Sequence, residues 1–498
     1  MRIDVRPVSR LRGAHPLDVT AALRPVIDAL SASSADLSQA RVVCDWIQYK
    51  SNFREVADCR PVLSAPWPGS PPETALEIAI DLRRTADVDL RAAVSALLDV
   101  RAHPWWQPGT GAATPSRVPV GPWSTLRNSC IWRFNTLYWQ ALSQWEQAAG
   151  REYEMALPGG ESAARDRSAA RDLILELFKT WDDLDARSAL PAELYVVELG
   201  VGNGGQASTW LDEFVELSRA HSRDYYRRLH YIMCDYSPHV LGRALKAVAG
   251  HSDHISTLVV EATHPAVSLG FLRGKAFLVY ISNVYDNLPT DEVARIGGLN
   301  YQVQARAFLP AAEADRIGQE VSAPPERVPE LTDKLLRLGP ELLSEALPQH
   351  FPGITQAVTF WREVWGALRL AERYVPLEGL DEYQVTPGLT GDMLRSQLES
   401  HGDIRVHVSN GALSSFAETL PLLHPFGRLQ CHDLFTDDIT RYQTGFFGPG
   451  KYDGSVVNWV NGPLLRHIGG RAGFDITIAP FAQRPASAVR TLTAVVRD

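Results

Sequence analysis

The sequence predicts an α/β fold: an open, Rossmann-like sheet with a terminal antiparallel hairpin, joined to an N-terminal region and a large, mainly helical insertion. Three observations predict it. The apolar run Leu194-Tyr-Val-Val-Glu-Leu199 breaks into Gly200-Val-Gly-Asn-Gly204, and a segment with Trp210, Leu211, Phe214 and Leu217 on one helical face follows. Further apolar runs end on polar residues at 229–235, 255–260, 276–281 and 427–433. The tail carries two strand-like runs, 474–479 and 487–496, separated by Gln483-Arg484-Pro485.

At 498 residues the chain is too long for one core and is expected to hold several domains. The expected division is an N-terminal mixed or helical region with linker at 1–122, a first core part at 123–298, an inserted cap at 299–420 and a last core part at 421–498. A content of 45% hydrophobic and 21% charged residues is that of a soluble globular protein. The formal charge of -9 argues against a sequence-independent grip on nucleic acid, which needs a basic field. No apolar run has the length of a membrane span, and Met1-Arg-Ile-Asp-Val-Arg6 lacks the apolar core of a signal peptide. Cys44, Cys59, Cys130, Cys234 and Cys431 are scattered, which predicts reduced thiols, a cytoplasmic location and no metal site.

In the N-terminal region, 20–30 and 90–100 read as helices, 64–72 as a Pro-rich loop, and 107–122 as a boundary. Ile131, Phe134, Tyr138, Leu142 and Trp145 then recur at helical spacing. Such a stripe is core in the plainer reading; in the functional one it covers a ligand cleft and lends aromatic walls to a cationic substrate. A second amphipathic helix, at 168–181, leads into the first core strand. The basic stretch 218–228 reads as an extension of the helix behind the glycines. Ser237 and Pro238 read as the cap and first turn of the next helix. Between 290 and 420 the strand pattern lapses; helices are expected around 331–338 and 360–371.

Gly200, Gly202 and Gly204 lack the Cβ atoms that would hold a nucleotide off the backbone. Gly200, Gly202 and Gly205 also satisfy the dinucleotide pattern, so glycines alone do not name the ligand. Glu198, two residues before the first glycine, suits a ligand with a cationic amino group rather than a pyrophosphate. Asp235, at the end of the second strand, is placed to accept both hydroxyls of a ribose.

Glu198-Leu-Gly-Val-Gly-Asn-Gly204 resembles the first motif of class I S-adenosylmethionine-dependent methyltransferases. That resemblance implies S-adenosylmethionine, held by Glu198, Gly200, Gly202, Asn203, Gly204, Asp235, Tyr236 and Ser282, with Glu261 and Ala262 at the adenine. It also implies a sheet ending in an antiparallel hairpin, where a dehydrogenase half continues with parallel units. Four blocks in order are similar to the MidA-like family, which includes an arginine methyltransferase of complex I assembly. They are Val197–Gly204, Ser282-Asn-Val-Tyr-Asp-Asn-Leu-Pro289, His432-Asp433 and Tyr452-Asp-Gly-Ser-Val-Val-Asn-Trp-Val460. Ser282-Asn283 stands where the family has Asn-Glu, and Leu434-Phe435 where it has Tyr-Gly.

The resemblance implies methyl transfer to a guanidino nitrogen of arginine. The insertion and N-terminal region, expected near the carboxyl ends of the strands, would enclose a small acceptor, which favours free arginine or another small guanidino compound over a protein. A guanidinium facing a cationic donor calls for carboxylates: Asp286 and Asp433 are the expected ones, with Asn283 and Tyr285 orienting the acceptor. For Asp286 a helix N-cap is the competing reading. Protein arginine methylation and a non-catalytic S-adenosylmethionine-binding assembly factor are the alternatives; Glu198 and the terminal hairpin disfavour an NAD(P)-dependent oxidoreductase. Homodimerisation is left open. Gly448-Pro-Gly-Lys451 imitates a phosphate loop but lacks its Ser or Thr, and His251-Ser-Asp-His254 lacks further metal ligands. His15 and His103 have no partners visible in sequence.

Overall fold

The computed structural model describes residues 2–5, 19–32, 40–44, 51–60, 76–81, 89–99, 117–153, 167–402, 404–444 and 448–497. The loop expected at 64–72, most of the boundary stretch before 117, His15 and His103 lie outside them. The chain divides into two compact units: one of 1–137, 291–408 and 439–458, the other of 138–290, 409–438 and 459–498. The N-terminal region and the insertion therefore share a unit. The divisions at 137/138, 290/291 and 408/409 differ from the expected 122/123, 298/299 and 420/421. The reason is that a long helix, Cys130–Gln140, and the loop after the fourth core strand carry no compositional break where the contacts change.

The second unit is built on a seven-stranded sheet. Its strands are β1 (Leu194–Leu199), β2 (Leu229–Asp235), β3 (Ile255–Val259), β4 (Ala276–Ser282), β5 (Leu423–Asp433), β6 (Phe474–Pro480) and β7 (Arg490–Val496). The order across the sheet is β6-β7-β5-β4-β1-β2-β3. Strands β1 to β5 run parallel, and β7 enters antiparallel between β5 and β6. This is the class I methyltransferase sheet that the terminal hairpin predicted. The order reverses between β1 and β4, so the carboxyl ends of those two strands flank the crevice where open α/β sheets bind ligands.

Helices α1 (Arg167–Ala186), α2 (Gly205–Ala220), α3 (Pro238–Ala247), α4 (Asn410–Thr419) and α5 (Gly462–Arg471) belong to the same unit. Leu173, Leu177 and Trp181 of α1 are buried together with Trp210 and Phe214 of α2 and Val196 of β1. Each such side chain contributes roughly 1.5–3 kcal/mol by leaving water. Ser237 caps α3, its hydroxyl accepting from Val240 N at 3.4 Å, with Pro238 in the first turn as expected. The basic stretch after α2 does not extend it. The helix ends at Ala220, Ser222 turns left-handed (φ 52), and a 3-10 turn, Tyr225–Arg228, buries Tyr225 against the Asp182 carboxylate. Burying that ring outweighs continued helix for a segment whose neighbours are polar.

In the other unit, strands Arg369–Leu377, Leu299–Pro310, Glu292–Ile296 and Ile404–His407 form an antiparallel sheet beside helices Ala311–Glu320, Val328–Ala346 and Ile354–Ala367. The helix expected at 360–371 stops at Ala367, because Arg369 onward pairs with Leu299–Pro310. Among the described residues of the first hundred, four strands accompany the helices Val19–Ala32 and Leu90–Asp99. Lys451 is buried and donates to the carbonyls of Trp365, Gly366 and Leu368 at 2.5, 3.0 and 2.9 Å. It closes the carboxyl end of helix Ile354–Ala367, so its ammonium is committed there and not to a phosphate.

Candidate functional site

The chain leaves β1 through three left-handed glycines, Gly200 (φ 81), Gly202 (φ 57) and Gly204 (φ 80). Their surroundings differ. A Cβ on Gly200 would collide with the Val284 methyl, and one on Gly204 would come within 2.7 Å of the Ala244 backbone in α3. Those two glycines are required by protein packing. At Gly202 the neighbour is the Tyr153 hydroxyl, 2.7 Å from the same built position. Asn203 Oδ1 accepts from Gly205 N at 2.9 Å and so supports the turn into α2.

Asp235 closes the other side of this loop. Its Oδ2 accepts from Gly202 N at 3.3 Å and its Oδ1 from Ser237 N at 3.0 Å. Burial pushes its pKa up to about 6 against the pull of these N–H groups. Glu198 is 3% exposed, and the Tyr231 hydroxyl of β2 donates to its Oε2 at 2.7 Å. Burial raises Glu198 to about 8, so it is mostly protonated at neutral pH. Tyr236 follows Asp235, its hydroxyl accepting from Gln140 Nε2 at 2.8 Å. Burial and then the charge of Glu261 raise its pKa, which puts Glu261 in its electrostatic range. Glu261, exposed, folds back on the N–H and hydroxyl of Thr263, with Ala262 beside it.

At the ends of β4 and β5 two buried carboxylates meet. Asp433 Oδ2 accepts from the N–H groups of Val284, Tyr285 and Asp286 at 3.1, 2.8 and 3.4 Å, and Oδ1 from Leu434 N at 2.7 Å. Asp433, expected at the acceptor, clamps the turn after Ser282 through these bonds. Asp286 is not a helix cap: it lies inside the 3-10 turn Tyr285–Asn287, and Asn287 Nδ2 donates to its Oδ1 at 2.7 Å. Burial and then Asp433 raise Asp286 well above the carboxylate range, while burial carries Asp433 to about 6. Two acids this close hold one proton between them at neutral pH and present one negative charge. Asn283 is exposed and left-handed (φ 53), a conformation Asn tolerates. Tyr285 is 1% exposed, so its ring is core and only its N–H serves the turn.

The structure therefore brings Gly202, Asp235 and Tyr236 to one loop cluster and Asn283, Asp286 and Asp433 to the neighbouring strand ends. It adds Tyr153 and Val284, which sequence reasoning missed. Val284 fell inside a motif read for its polar residues, and Tyr153 lies 49 positions upstream of Gly202 by their numbering, with no pattern linking them. Among the described residues no cluster of His, Cys, Asp and Glu would hold a metal ion, and no helix is long and apolar enough to cross a membrane.

The chain matches no family model and no curated protein. Solved structures do align with it. A MidA-like superfamily protein from Burkholderia thailandensis, solved with S-adenosyl-homocysteine, is 13% identical over 75% of this chain and 88% of its own, with a TM-score of 0.43. The 1,6-didemethyltoxoflavin-N1-methyltransferase of the same organism is 10% identical over 79% and 100%, with a TM-score of 0.32. A methyltransferase from Streptomyces caelestis is 10% identical over 73% and 99%, at 0.31. Likenesses at this level leave the reading to the strand order and the site itself.

Proposed function

We propose that the chain is a class I S-adenosylmethionine-dependent methyltransferase acting on a nitrogen of a small guanidino compound, free arginine among them. The observation that carries the methyltransferase reading is the junction of the loops after β1 and β2, beside the switch point between β1 and β4. There a glycine loop, with only the Tyr153 hydroxyl over Gly202, is tied to a strand-end carboxylate, Asp235, in a sheet with an antiparallel seventh strand.

The donor set fits this cofactor. Gly202 has no Cβ to fill the cradle, and the Asp235 carboxylate, turned to the N–H groups of Gly202, Tyr236 and Ser237, is an acceptor beside it for a ribose hydroxyl. Tyr236, Glu261 and Ala262 would flank the adenine, and Glu198 would face the amino group through Oε1. Bound, S-adenosylmethionine supplies a methyl already activated on a sulfonium. The chain's own task is then alignment and electrostatics. The single negative charge of the Asp286–Asp433 pair balances one guanidinium, and the rigid turn held by Asp433 fixes where Asp286 stands. Asn283 orients the acceptor from the rim, beside Ser282. A second reading, a cofactor-binding assembly factor without turnover, draws on Ser282-Asn283, which lacks the carboxylate of the MidA-like motif.

The test uses methyl-labelled S-adenosylmethionine with arginine, other guanidino compounds, arginine peptides and cell lysate. Label in free arginine or a guanidino compound supports the small-acceptor reading. Label confined to protein with free arginine untouched refutes it, and binding of NAD without S-adenosylmethionine refutes the whole assignment.

A further inference from the structure

We propose that Tyr153 is a cofactor-binding residue whose hydroxyl meets the amino-acid end of S-adenosylmethionine above Gly202; this rests on the S-adenosylmethionine reading. The helix Leu142–Ala149 ends at left-handed Gly150 (φ 67), which turns the chain back toward the glycine loop. Glu146 then anchors the returning segment. Its Oε1 accepts from Tyr153 N at 3.0 Å, and its Oε2 accepts from Arg243 of α3 at 2.8 Å. Arg243 also reaches Glu152 at 3.2 Å. The Trp139 ring meets Tyr153 edge to face, 5.5 Å between centroids at 83°. Backbone, charge and ring contacts thus hold one phenol orientation, with the hydroxyl at the one loop glycine that no apolar side chain or backbone atom crowds.

The same segment reaches the neighbouring loop, where Gln140 donates to the Tyr236 hydroxyl. Residues 138–153 therefore touch the loops after both β1 and β2, the two that would hold the amino-acid and nucleoside ends of one ligand. A phenol both donates and accepts, so it can serve an ammonium or a carboxylate. The Arg243–Glu146 pair is largely shielded, with side chains 24% and 12% exposed, which spares it the screening that makes surface pairs weak.

The test compares two ligands by calorimetry: S-adenosylhomocysteine, and 5′-methylthioadenosine, which lacks the amino-acid end. Tyr153→Phe keeps the ring and its packing. It is expected to weaken S-adenosylhomocysteine on the order of tenfold, as for a lost hydrogen bond to a charged group, and to leave methylthioadenosine unchanged. Equal losses for both ligands, or none, overturn the inference while the cofactor reading stands. A wild-type protein that binds neither ligand overturns both. Arg243→Ala, which removes the anchor but not the phenol, is expected to weaken S-adenosylhomocysteine in the same direction. The double variant is then no weaker than Tyr153→Phe alone; full additivity overturns the anchoring role.

Discussion

Glu198 makes the sharpest demand on experiment. Replacing it by Gln keeps an oxygen for the Tyr231 hydroxyl and removes the ionisation. In the folded protein burial lifts Glu198 from 4.5 to about 8. A raised acid pKa means that the native state holds the proton more tightly than the unfolded chain. The stabilisation is complete below about pH 4.5 and is lost as pH rises through the folded value near 8. At 1.36 kcal/mol per pKa unit, this group removes up to about 5 kcal/mol of stability across that window. Asp235 and Asp433, each raised to about 6, add slope of the same sign at lower pH. Wild type and Glu198→Gln should therefore match at pH 5, and the variant should be the more stable at pH 9. Urea unfolding at pH 5, 7 and 9 measures it. Parallel stability curves for the two proteins would refute the argument that Glu198 is buried and neutral.

Gly200→Ala forces a side chain into a left-handed position against Val284 and should destabilise the fold by about 2–4 kcal/mol, read as a lowered urea midpoint. Asp235→Ala should weaken S-adenosylhomocysteine at least about tenfold in calorimetry, at a stability cost of about 1 kcal/mol for the backbone N–H groups it leaves. Asp286→Asn and Asp433→Ala should separate. The first is expected to lower turnover with cofactor affinity unchanged, by acting on the acceptor. The second should lose about 3 kcal/mol of stability as buried N–H groups of the turn go unpaired. Equal behaviour of the two variants in kinetics and unfolding would remove the distinction.

The elements of the sheet were legible in the sequence because each is a local pattern. β1 is apolar on both faces and stops where glycines begin; α1 and α2 show their buried stripes; Ser237-Pro238 marks the start of α3. The antiparallel ending was legible for the same reason, since two strands separated by a short turn have little choice but to pair. The positions of Glu198, Gly202 and Asp235 at the ends of β1 and β2 were legible because a strand end is itself a local pattern.

Partnership over long separations was not legible. Asp433 looked like a free acid at a strand end, and only the β4–β5 pairing brings it under the N–H of Tyr285, 148 residues away in sequence. Gly200 looked like space for a ligand, and the fold fills that space with Val284. Arg369 to Ala371 looked helical because periodicity records which face is apolar, and pairing with Leu299–Pro310 overrides it. Sequence by itself determined which residues lie at the ends of the strands. Tertiary structure decided which donors each of those carboxylates meets, and so that Asp433 holds the turn after β4, because a buried acid is committed by the donors that the fold brings to it.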